Sequence, residues 1–91
     1  MEGEKTLRVP EGLRPEQVAR VLAAMLWEDV GKSNFVPHQP NNGFWQLDRG
    51  NDFFLVIRGS EYLLCYRYEK DVPVVEAMVT IFDHRFNKPA A

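Results

Sequence analysis

Asp83, His84 and Arg85 stand side by side in IFDHRFNKP, residues 81–89. An imidazole next to a carboxylate can move a proton near neutral pH, and a guanidinium can hold a phosphate through parallel hydrogen bonds. The other residues able to do chemistry are scattered. His38 lies between two prolines with no second ligand near it, and reads as an exposed loop histidine. Cys65 is the only cysteine, which excludes an internal disulfide and a multi-cysteine zinc site. Set inside YLLCYRY, it reads as a small hydrophobe rather than a nucleophile. No phosphate-binding loop, dinucleotide fingerprint, nucleophile elbow or paired metal-ligand motif occurs.

Whether the Asp-His-Arg run is a site depends on the element that carries it. As a strand, 72–86 would mix Val74, Glu76, Met78, Thr80, Phe82 and His84 on one face. As a helix, Glu76, Thr80, Asp83, His84 and Asn87 fall on one narrow strip. Val74, Val75, Met78, Val79, Ile81, Phe82 and Phe86 cover the rest. Asp71 can cap the start, and Pro73 is tolerated in the first turn. His84, Arg85 and Lys88 then complement the C-terminal end of the helix dipole, ahead of Pro89. The spacing predicts a helix over 72–87, with Asp83 and His84 on its solvated strip. No catalytic residue is assigned, and no metal or cofactor is expected.

A first helix is predicted over about 15–30, where Pro15 and Glu16 suit an N-terminus and Gly31 suits the end. Val18, Val21, Leu22, Met25, Leu26 and Val30 share its buried face, and Trp27 falls away from it. Residues 31–43, with two prolines and three asparagines, read as a long loop pinned by Phe35 and Val36. Residues 1–12 hold a frayed start or a short edge strand. Three strands follow in GFWQL (43–47), DFFLVI (52–57) and EYLLCYRY (61–68).

The Arg58-Gly59-Ser60-Glu61 turn fixes a register in which Phe53, Leu55, Ile57, Tyr62, Leu64 and Tyr66 share one face. Phe54, Val56, Leu63 and Cys65 share the other, rimmed by Arg58, Glu61 and Arg67. A two-residue turn at Arg49-Gly50 would add Trp45 and Leu47 to this second face. Tyr62, Tyr66 and Tyr68 alternate as sheet aromatics do.

Ninety-one residues make one domain, 1–91, with 45% hydrophobic and 26% charged residues. The charge of −2, from 11 basic and 13 acidic residues without a like-charge block, gives no sign of a nucleic-acid arm. No apolar run resembles a signal peptide or a membrane span, so a cytoplasmic protein is expected.

The order helix–strand–strand–strand–helix resembles double-stranded RNA-binding domains, which place a lysine cluster at the start of their second helix. Here that position reads EKDVPVVEAM, acidic and apolar, with Lys70 alone. IRGSEYLLCYRY and the terminal DHR are similar to the strand pair and tail of ribonuclease toxins of the RelE/ParE type. That resemblance implies a cleft holding Arg58, Arg67, His84 and Arg85. Small phage-encoded inhibitors, anti-CRISPR proteins among them, share the helix–meander–helix layout.

The expectation is an α+β domain, αβββα, with both helices on the face bearing Leu55, Ile57 and Leu64. Its function is a non-catalytic interaction module, of the kind a phage inhibitor or accessory protein provides. The docking residues are Trp45, Phe54, Val56, Arg58, Leu63, Cys65 and Arg67. The partner is another protein or a second copy; nucleic acid and membrane are not expected. A toxin-like ribonuclease or RNA-binding domain is the alternative.

Overall fold

The computed structural model describes residues 2–31 and 37–87. They form an α+β fold of two helices and one antiparallel five-stranded sheet. Strand β1 is Gly3–Leu7, β2 is His38–Asn41, β3 is Phe44–Gln46, β4 is Phe53–Arg58 and β5 is Glu61–Tyr66. The helices are α1, Pro15–Glu28, and α2, Val72–Phe86, the latter entered through a 3-10 turn at Glu69–Asp71. The sheet order is β1-β5-β4-β3-β2.

The sheet has two strands beyond the expected three-stranded meander, of which β1 was expected only as a possible edge strand and β2 not at all. Strand β1 pairs along its whole length with β5, a partner far along the chain that its own short sequence does not reveal. Strand β2 lies inside the stretch expected to be loop. Asn42-Gly43 is a strong short hairpin signal, and of its two central residues Gly43 alone takes the positive φ that the turn requires. Gly43 takes φ +75°, and an added Cβ there would sit 2.9 Å from the Ile57 carbonyl oxygen. HQPN carries no apolar alternation to reinforce that signal, and every residue of β2 is exposed. Phe35 and Val36, the expected anchors, lie outside the described residues, as do Lys32, Lys88 and Pro89.

The β4–β5 hairpin follows the Gly59-Ser60 turn in full, with Arg58 opposite Glu61, Val56 opposite Leu63 and Phe54 opposite Cys65. The β3–β4 connection does not follow the expected two-residue turn. Phe44 opposes Val56 and Trp45 opposes Leu55, and the Leu47 N–H donates to the Phe53 carbonyl at 3.1 Å. The loop thus runs over the five residues Asp48–Asp52. That register is one residue from the expected one, and a one-residue slip turns every side chain of β3 to the opposite face. Trp45 and Leu47 therefore sit on the face of Leu55, and Leu47 is fully buried there.

Asp48 holds this longer loop. Its Oδ1 accepts the backbone N–H groups of Asp52 and Phe53, both at 3.0 Å, and its Oδ2 accepts that of Gly50 at 3.2 Å. The carboxylate is buried with these donors around it, the condition under which a buried charge is tolerated.

Helix α1 starts where Pro15 predicts. The Arg14 N–H donates to the Gln17 side-chain oxygen at 2.9 Å, which satisfies the backbone donor of the residue that precedes the helix. Asp71 makes no side-chain cap on α2, contrary to expectation; the 3-10 turn leads the chain in instead. Val18, Leu22, Met25 and Leu26 of α1 and Val75, Met78 and Phe82 of α2 are buried. They form one cluster with Leu7, Leu47, Phe53, Leu55 and Leu64 of the sheet segment. The face bearing these sheet residues is called inner below, and the other outer.

Candidate protein-docking face

Strand alternation and register give the outer face two rows across β1, β5, β4 and β3, and these extend to β2 through a register shift between His38 and Asn41. Glu4, Cys65, Phe54, Gln46 and His38 oppose one another across the five strands. Thr6, Leu63, Val56, Phe44 and Asn41 form the next row, and Glu61 with Arg58 closes the hairpin end. Within these two rows the middle strands contribute apolar residues apart from Gln46, and the edge strands β1 and β2 contribute polar ones. Such a centre inside a polar border has the composition of a protein contact surface.

Phe44 and Phe54 meet diagonally between β3 and β4, with ring centroids 5.3 Å apart and planes tilted by 38°. Phe44, Phe54, Val56 and Cys65 line an open concavity of about 470 Å³. Glu4 of β1, Glu2 just before that strand and Arg58 of the hairpin line it as well. The Arg58 guanidinium reaches across β5 to the Glu4 carboxylate at 3.8 Å, with side chains 67% and 47% exposed. Because Glu4 opposes Cys65 and Arg58 opposes Glu61, the line joining them crosses β5 at Leu63. Leu63 is only 4% exposed.

The Cys65 thiol is pushed up to about 11 from its ordinary 9.0. Burial is the main cause; the Glu4 carboxylate adds to it, Arg58 opposes it, and Glu2 adds again. A thiol held protonated is a poor nucleophile, so Cys65 serves the face as an apolar group.

Of the seven expected docking residues, Phe54, Val56, Arg58 and Cys65 line one concavity. Leu63 shares their face but is buried within the chain. Trp45 is on the inner face, where its indole N–H is buried without an acceptor among the described residues. Arg67 lies just past β5, half-buried, its N–H on the Asp52 carbonyl at 3.0 Å. Phe44, Glu4 and Glu2 were missed. Finding Phe44 required reading Asp48 as a loop-closing side chain, and finding the two glutamates required the β1–β5 pairing.

The residues of the ribonuclease alternative are not gathered in this concavity; only Arg58 of the four lines it. His84 is exposed on the last turn of α2. Arg85 donates to Asp29 just beyond α1, at 3.3 and 3.4 Å to the two oxygens, and so ties the helix ends together. Among the described residues no group of three or more His, Cys, Asp or Glu is placed to hold a metal, and no helix is long and apolar enough to cross a membrane. Comparison with protein-family models, with curated proteins and with solved structures finds no match for this chain.

Proposed function

We propose that this protein is a non-catalytic interaction module that binds another protein chain through the outer face of its sheet. On the reading that both helices pack on the inner face, the Glu4–Arg58 pair is what spans the outer one among the described residues. The observation that carries the reading is the open concavity of about 470 Å³, lined by two phenylalanines with Glu2, Glu4 and Arg58 beside them.

The sheet edges support face-on docking rather than strand addition. Natural edge strands are blunted by prolines, short length or inward charges. Strand β2 has four residues and contains Pro40, and β1 turns Lys5 to the inner side opposite Leu64. The test is a photo-crosslinking residue placed at Gln46 on the outer face or at Glu76 on α2, in cells that make the protein naturally. Adducts with another protein chain from Gln46 alone support the proposal. Adducts from Glu76 alone, or from neither position, overturn it.

A further inference from the structure

We infer that the group seated in the outer concavity is an arginine side chain presented by the partner protein between apolar neighbours. This rests on the docking reading above and adds the chemistry of the partner.

Three features of the concavity select a cation of that shape. Phe44 and Phe54 present aromatic surface, and ring faces attract a guanidinium more strongly once water is excluded. Glu2 and Glu4 supply two carboxylates against the one cation of Arg58. A carboxylate can take a guanidinium through two parallel hydrogen bonds, which a lysine ammonium cannot match. The thiol in the lining senses the same balance, since both glutamates raise its pKa and only Arg58 lowers it. The volume of about 470 Å³ exceeds one side chain, so apolar residues on either side of the arginine can rest on Val56 and Cys65.

Arg58 is the cation that an incoming arginine would displace from Glu4. Its contact with Glu4 is long at 3.8 Å and both side chains are largely in water. Such a pair contributes little and is readily displaced. Arg58 thus acts as an internal competitor for the carboxylate that the partner arginine takes.

The test titrates the intact protein with acetyl-Leu-Arg-Leu-amide and with its citrulline analogue, which keeps the shape and loses the charge. Backbone amide shifts report where and how tightly each binds. The arginine peptide is expected to move Glu4, Phe54, Val56 and Cys65 saturably, and to bind about tenfold more tightly than the citrulline peptide. Glu4→Gln should weaken the arginine peptide severalfold, and Arg58→Ala should strengthen it by removing the competitor. Equal binding of the two peptides on this face overturns the inference and leaves the docking proposal standing. Tighter binding of the citrulline peptide, or weaker arginine binding by Arg58→Ala with the fold retained, also overturns it. If neither peptide shifts these residues while Gln46 still crosslinks to a partner, the face docks a chain of other chemistry and the inference fails alone.

Discussion

The carboxylate of Asp48 decides which side chains the protein turns outward. By gathering the N–H groups of Gly50, Asp52 and Phe53 it makes the β3–β4 loop five residues long, and the register that results puts Phe44 outside and Trp45 inside. Removing it strands donors that are partly or fully buried, each costing on the order of 1–3 kcal/mol when unpaired. Asp48→Ala should therefore lower stability by about 3 kcal/mol in urea unfolding, whereas Arg49→Ala on the exposed side of the loop should change it little. Cys65 offers a second residue-level check. With its thiol raised to about 11, alkylation of the folded protein at pH 8 should be far slower than in urea. Glu4→Gln should speed it, and Arg58→Ala should slow it. The sign for stability follows from linkage: the folded pKa lies above the ordinary 9.0, so this contribution is intact below about pH 9 and is lost as pH rises toward 11.

Elements differed in how much of themselves their own residues revealed. The helices and the β4–β5 hairpin are legible because each is specified locally: a stripe at helical spacing in α1, a polar strip in α2, a Gly59-Ser60 turn between alternating runs. Strand β1 was legible only as a candidate edge, since its partner β5 is fixed by tertiary pairing. Strand β2 has no core-facing residue to give it a pattern, and only Asn42-Gly43 announced it. The candidate face inherited those gaps: its centre was read from the hairpin, and its acidic border was not. Helix α2 is the element where the reading is easiest to test. Phe82 is fully buried and packs against Phe86 as a tilted pair with centroids 4.6 Å apart, while His84 is exposed within the last turn. Phe82→Ala should cost about 3–5 kcal/mol, as truncation of a buried aromatic does, and His84→Ala less than about 0.5 kcal/mol. Similar unfolding midpoints for the two variants would contradict this packing of α2.

At the scale of the whole molecule, a chain of 91 residues has one thin core and must hold a sheet with two apolar faces. The outer face cannot be all docking surface, because some of it is needed to keep the sheet itself dry. Leu63 and Phe54 divide these duties. Both point outward, yet Leu63 is 4% exposed beneath the line from Glu4 to Arg58, while Phe54 is half-buried in the open concavity. A charge at Leu63 would be enclosed without a partner in the isolated chain, whereas one at Phe54 keeps access to water until another protein covers it. Leu63→Glu should therefore lose the cooperative melt, or lower its midpoint by more than about 10 °C, as a loss of several kcal/mol does in a domain this small. Phe54→Glu should melt within a few degrees of the parent and lose the Gln46 crosslink. Circular dichroism of both variants, paired with crosslink yield, separates the two duties. A Leu63→Glu protein that melts like the parent would mean that the Glu4–Arg58 pair leaves this leucine free for the partner. The working surface would then extend from the concavity across β5 toward β1.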